Sequence, residues 1–456
     1  MRPSREALER ALPLMAPLSG LLLLTVLSVA VPHRDDAVEG PAFVRSTLFE
    51  LKTAFAVGGA GEEFGELKKQ LAEVLATGVP AERLEAPARR FLALSMILLG
   101  HGADAASKLP ENDPARAWVA DLAAGRTPSP PDRYPDVGVT DPWLDARLAL
   151  AVAATRAGLP DGELNRLKDR AFRQERAHLE RMSGFVGLAF VLFAGGMVFL
   201  FRLRPLLESA AASQVVAPVP HPMRLDRPTA LRLGLGWLAA HLALSIFAPP
   251  VLAGLPGMPR GPIVPAMLTY MASAAVGLFL VTRVAYRDVT GARASTLPDV
   301  LLPTEGRELA SVLWAVGGLS LAFVLVLGAS MLRAFVPEDD LLVNPGVRAL
   351  LLIDTAGERT LFLASVALVA PLFEEILFRG FVFAQLRHRF GLAAAASVSA
   401  ALFALVHFSL GSFLPLFALG LVLAWAYEAT GNLMTSMLIH AAWNAGTALI
   451  VMKVVM

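Results

Sequence analysis

The rhythm of hydrophobic positions changes near residue 183. Beyond it, apolar residues come in long runs, at roughly 184–201, 229–252, 262–282, 309–332, 359–383, 391–408, 412–428 and 432–452. Each is about 17–25 residues, the length that crosses a bilayer as a helix. A further run, "ALPLMAPLSGLLLLTVLSVAVP", follows the basic "MRPSREALER". It is close to a full span, and no small-residue cleavage site of the A-x-A kind follows it, so residues 1–32 read as an uncleaved signal anchor. The pattern thus predicts nine spans. Residues 33–182 behave differently. Phe64, Leu67, Leu71 and Leu75 recur at helical spacing within charged sequence, and Pro/Gly breaks such as "GRTPSPPDRYPDVGVTDPW" separate the segments. Several short antiparallel helices are expected, of a size like TPR hairpins but without a consensus repeat. The expected fold is all-α: a polytopic helical membrane protein with an inserted soluble helical domain. Its divisions are 1–32 (anchor), 33–182 (soluble domain), 183–354 (spans and loops) and 355–452 (catalytic core).

Composition agrees with this reading. Hydrophobic residues make up 55% of the 456 positions and charged residues 17%, against about a quarter charged in ordinary soluble domains; the mean hydropathy is +0.57. The net charge of +1 argues against a nucleic-acid binder. With no cysteine, thiolate nucleophiles, disulfides and Cys-ligated metals are excluded. Charge placement orients the chain. Arg2, Arg5 and Arg10, then Arg202, Arg204, Arg224 and Arg227, then Arg283, Arg287 and Arg293, then Arg387 and Arg389 all fall on one side if the N-terminus is cytoplasmic. The loop "PEDDLLVNPGVRALLLIDTAGE" on the other side is acidic. The 33–182 domain is then extracytoplasmic.

Polar residues interrupt the last four runs at three places: Glu374, Glu375 and Arg379 in "PLFEEILFRGF", Phe403 to His407 in "FALVH", and His440 to Asn444 in "HAAWN". Even lenient insertion scales charge roughly 3 kcal/mol for an ionised residue at the centre of a span, so such residues are functional candidates. Glu375 and Arg379 stand four apart, share a helix face and can neutralise each other. Glu374 lies about 100° round the helix, away from that partner, which suits a general base. Counted from the turn near Phe390–Gly391, Glu374 and His407 lie at matching depths of roughly 24 Å, with Asn444 roughly 20 Å up its own helix. Four polar side chains from three helices can therefore meet. A carboxylate and a histidine there can hold and deprotonate a water, and a second histidine with an amide can donate to a developing oxyanion.

Blander readings stand beside this one. Glu375 with Arg379 alone fits a structural ion pair, and a lone intramembrane histidine such as His241 fits a helix-to-helix hydrogen bond. Glu62–Glu63, the same dipeptide in a charged segment, reads as a solvated face. The chain has no H-E-x-x-H, no G-x-S-x-G and no Gly-rich phosphate loop. A transporter with Glu374 as proton relay would more often carry paired broken helices and internal repeats.

E-E-x-x-x-R, F-x-x-x-H and H-x-x-x-N, in this order on successive C-terminal runs, resemble the CPBP family of intramembrane proteases. That family takes in the type II CAAX prenyl endopeptidases and the bacterial Abi and bacteriocin-immunity proteins. The surrounding "EEILFRGFVFAQL" and "YEATGNLMTSMLIHAAWNAG" fit as well, and the resemblance covers about residues 355–452. It implies that Glu374 and His407 activate the attacking water and that His440 and Asn444 stabilise the oxyanion. Glu375, Arg379 and Phe403 would support the site. It also implies a membrane-embedded or lipidated protein substrate; the signal-anchor layout points to a bacterial inner membrane, and the net charge speaks against nucleic acid. A zinc-bound mechanism, long attached to the family, would use Glu374, His407 and His440 as ligands; the oxyanion role of Asn444 favours the metal-free, glutamate-type mechanism with no cofactor. The competing function is a non-catalytic membrane scaffold or immunity factor on the same fold.

Overall fold

The computed structural model describes residues 40–58, 71–73, 75–76, 79, 81–131, 133–156, 159–203, 227–256, 263–285, 308–333, 346, 349–350, 352–353, 355–407 and 409–454. The signal anchor of 1–32, the Glu62–Glu63 pair with Phe64 and Leu67, and the loop residues Arg204, Arg224, Arg287 and Arg293 lie outside them. The described residues form helices and no strand. The chain divides into two compact units, residues 1–187 with 450–456, and residues 188–449.

The first unit contains α1 (Gly40–Gly58), α2 (Ala86–Leu98), α3 (Arg116–Ala123), α4 (Pro142–Ala154) and the charged part of α5 (Asp161–Val198), with short 3-10 turns at Ala81–Arg83 and Gly102–Lys108. Its core is apolar: Leu51, Phe91, Leu92, Leu94, Trp118 and Trp143 are buried together. Asp141 fixes the start of α4. Its side chain accepts from the N–H groups of Trp143 and Leu144, and Pro142 occupies the first helical position, where its missing N–H costs nothing. The charged segment before residue 182 and the apolar run after 184 are one continuous helix of 38 residues, not two elements divided near 182. No proline interrupts Asp161–Val198, and the stretch holds 5 Arg, 5 Leu, 4 Ala and 3 Glu, all good helix formers.

The second unit holds the apolar end of α5, then α6 (Arg227–Ala253), α7 (Ile263–Ala285), α8 (Glu308–Arg333), the long run α9 (Ala356–Arg387), α10 (Leu392–Leu405), α11 (Leu410–Thr430) and, as far as Leu449, α12 (Leu433–Val454). Among the described residues seven helices are long and apolar enough to cross a membrane. The run expected at 391–408 is the exception. As α10 it has 14 residues, about 21 Å at 1.5 Å per residue, short of a 30 Å hydrocarbon core. It ends at Leu405, and Ser409 starts α11 by accepting from the N–H of Ser412. His407 therefore sits in a tight corner between two helices instead of within a span.

The run α9 is not a uniform α-helix. Residues Ser365–Val369 and Ile376–Phe383 are π-helical and flank a short α segment, Ala370–Glu375. Such widened turns leave carbonyls without an intrahelical donor and recur at functional sites. The two glutamates stand at the junction between the two forms.

Candidate active site

Glu375 and Arg379 behave as their spacing requires. Arg379 Nη1 donates to Glu375 Oε1 at 2.8 Å, and both side chains are 0% exposed. Arg379 Nη2 donates to the carbonyl of Gly420 on α11 at 3.1 Å, and its guanidinium lies 4.7 Å from the Phe403 ring centroid, a favourable cation–π position. The pair therefore ties α9 to α10 and α11. Gly420 makes this approach possible: a Cβ there would come within 2.9 Å of the Ala400 Cβ.

His440 on α12 joins the same carboxylate. Its Nδ1 lies 2.8 Å from Glu375 Oε1, and its Nε2 lies 3.7 Å from Glu374 Oε2. A histidine whose one nitrogen is fixed by a carboxylate presents the other in a fixed direction, here toward Glu374. Glu374 itself is held from an unexpected side. Tyr270 on α7 donates its phenolic hydrogen to Glu374 Oε1 at 2.6 Å. Oε2, the oxygen facing His440, is buried and has no hydrogen-bond partner.

Phe403 is the hub. It is fully buried, and the rings of His407 and His440 stand edge-on to it at centroid distances of 5.0 and 5.6 Å. The Nδ1 of His407 is hydrogen-bonded to the carbonyl of Phe403 at 2.7 Å, which leaves Nε2 for other partners. Asn444, one turn beyond His440, donates its amide to the carbonyl of Val366 at 2.9 Å. The sequence explains that carbonyl. In the π register Ala370 N–H bonds to Ser365 O, so the next donor, to Val366 O, would be residue 371. Residue 371 is proline and has no N–H to give. Asn444 satisfies the carbonyl that Pro371 leaves open.

Glu374, Glu375, Arg379, Phe403 and His440 are thus linked in one chain of neighbouring contacts. His407 joins through Phe403, and Asn444 is turned toward α9; neither is hydrogen-bonded to Glu374. Among the described residues no three His, Asp or Glu side chains are placed to hold a metal ion. Glu374, His407 and His440 are not among such a group; Nδ1 of each ring is held, by Glu375 and by Phe403 O, and Nε2 is left open. The contact that sequence reasoning missed is Tyr270. Its usable signal was a tyrosine within an apolar run of a chain with only 4 of them.

Comparison with known proteins bears on this segment. Residues 356–446 match the family model described as type II CAAX prenyl endopeptidase Rce1-like. Over that segment the chain is similar to the Rce1-like family. A curated relative, the UPF0177 protein YxdF of Lactococcus lactis subsp. lactis (strain IL1403), is 31% identical over 80 residues, which is 17% of this chain and 44% of the relative. The chain thus spans less than half the length of the relative it matches. No solved structure matches the chain. The matched segment contains Glu374, Glu375, Arg379, Phe403, His407, His440 and Asn444 and leaves Tyr270 outside. With seven long apolar helices among the described residues, the chain is an integral membrane protein.

Proposed function

We propose that this protein is an intramembrane endopeptidase that hydrolyses a peptide bond in a membrane-embedded or lipidated protein. The observation that carries the reading is the free Oε2 of Glu374, buried and 3.7 Å from His440 Nε2. Glu374, with His407, takes a proton from water as the water attacks the carbonyl carbon. His440 and Asn444 donate to the oxyanion that forms, Asn444 with the amide hydrogen not used by Val366. Glu375 and Arg379 hold the His440 ring and the helices around it. The proton passes on to the leaving amine as the C–N bond breaks. The reading requires no metal ion or other cofactor. The N-terminus lies on the cytoplasmic side of a bacterial inner membrane, and residues 33–182 form an extracytoplasmic domain.

Purified full-length protein in detergent should cleave members of a panel of membrane peptides, and chelator should leave that activity intact. Glu374→Ala and His407→Ala should each abolish it; cleavage by both variants at the wild-type rate would sink the mechanism. A non-catalytic scaffold on the same fold draws its support from Asn444, whose amide is engaged by Val366 O. That reading expects no cleavage by the wild type.

A further inference from the structure

The carboxylate at the centre of the site is held by a residue from outside the segment that matches the Rce1-like family. We infer that Tyr270 is a positioning residue for the proposed proteolysis: by donating to Oε1 of Glu374 it aims Oε2 at the reacting water. The inference rests on the proposed function for its role in catalysis and on geometry for the contact itself.

The contact is built into the helix packing. Tyr270, Ala274 and Gly277 stand at i, i+4 and i+7 on α7, one stripe of a helix. Ala274 is buried among Phe373, Ile376 and Leu377 of α9. A Cβ at Gly277 would lie 2.5 Å from the Phe373 ring and 2.7 Å from Trp237. Two small residues in succession let one membrane helix come close to another. The close approach carries the Tyr270 hydroxyl to 2.6 Å from Glu374 Oε1. The other polar contact of this stretch points elsewhere: Ser273 bonds to His241 Nδ1 on α6 at 2.7 Å.

The donated hydrogen bond removes an ambiguity. Glu374 leaves a helix that changes register at Ile376, and a carboxylate rotates easily about its last bond. Only with Oε1 occupied does Oε2 stay beside His440 Nε2. A hydrogen bond to an ionised carboxylate is among the stronger kinds, so its loss should be felt in the chemical step.

The test is Tyr270→Phe in the full chain, which removes one oxygen from an otherwise unchanged ring. We expect kcat on the cleaved peptides to fall roughly ten- to hundredfold, the size of a lost hydrogen bond to a charged group, with KM and the melting temperature close to wild type. Ser273→Ala, on the same helix, should leave kcat unchanged. Unchanged kcat in Tyr270→Phe overturns the inference, as does an equal loss in Ser273→Ala. If Tyr270→Phe melts early, the infrared bands of Glu374, assigned by difference against Glu374→Gln, decide at a temperature where it is folded: they must move when the phenol is removed, and static bands overturn the contact. The same infrared measurement stands if the wild type cleaves nothing. In that case the proposed function fails, while a moved band still supports the Tyr270–Glu374 contact.

Discussion

Both units contain an arginine lying over a phenylalanine ring and paired with a glutamate. In the first unit Arg147 lies 4.3 Å from the Phe55 ring centroid and pairs with Glu175. In the second Arg379 lies 4.7 Å from the Phe403 centroid and pairs with Glu375. The side chains of Arg147 and Glu175 are 20% and 8% exposed, those of Arg379 and Glu375 0%. The other partner of each glutamate also differs. Glu175 accepts from the indole N–H of Trp143 at 3.1 Å, a donor with nothing further to offer, so the network closes there. Glu375 meets His440, whose second nitrogen reaches on to Glu374. The same trio is thus a brace in one unit and the support of a reactive group in the other. The surroundings invert as well. Among the described residues, Phe172 is the one exposed large hydrophobic before Leu188; the rest, including Phe190, Phe247, Val316 and Leu368, belong to the second unit. That unit buries the charges of Glu375 and Arg379 and exposes many large apolar side chains, as hydrocarbon surroundings require.

The largest expected effect separates the two arginines. Arg379→Met leaves Glu375 charged, buried and stripped of its guanidinium, and should destabilise the protein by about 3–5 kcal/mol. Arg147→Met leaves Glu175 buried but still hydrogen-bonded to Trp143, and should cost less, about 1–3 kcal/mol. Equilibrium unfolding of the full chain in detergent measures both. Equal losses would mean that burial does not distinguish the two trios.

A smaller contrast runs along α5. A Cβ at Gly196 would lie 2.5 Å from the backbone carbonyl oxygen of Ser320 on α8, while a Cβ at Gly184 meets nothing within 4 Å among the described residues. Gly196→Ala must push two helices apart and should cost about 1–3 kcal/mol. Gly184→Ala, in the interior of the same helix, should stabilise by about 0.5–1 kcal/mol. If both substitutions stabilise, close helix approach is not what packs the second unit.

Much of this was legible in the sequence because helices obey short-range rules. The run lengths located the long apolar helices, and the i, i+4 spacing of Glu375 and Arg379 gave the ion pair. The separation of Glu374 from that pair also followed from helix geometry. What escaped were effects that depend on a second helix or on a change of helix type. The apolar run at 391–408 ends early because the chain turns at Val406, which an alanine-rich apolar sequence does not announce. The partner of Asn444 follows from a π turn that places Pro371 opposite Val366, and single-sequence periodicity does not register a shift from one helix type to the other. Tyr270 escaped because its partner lies far along the chain, and only the packing of α7 on α9 brings them together.

The smallest expected effect tests how forgiving the water-facing side of the comparison is. Asp145, half-buried in the first turn of α4, has its pKa raised above the usual carboxylate range by desolvation first and by the neighbouring Asp141 second, with Arg170 acting against them. A raised carboxylate binds its proton more tightly folded than unfolded. Its favourable contribution is therefore complete below the unfolded value of 3.8 and is lost as the pH rises through the folded value. At neutral pH the ionised group is a small net cost, so Asp145→Asn should stabilise the protein there by no more than about 0.5 kcal/mol, with the gain fading on acidification toward pH 4. Unfolding curves at neutral pH and near pH 4 measure it. A large gain would mean that an unpaired carboxylate is costly in this unit too. A gain of a few tenths keeps the distinction: near water a misplaced charge is tolerated, whereas inside the second unit the two glutamates need an arginine, a histidine and a tyrosine around them.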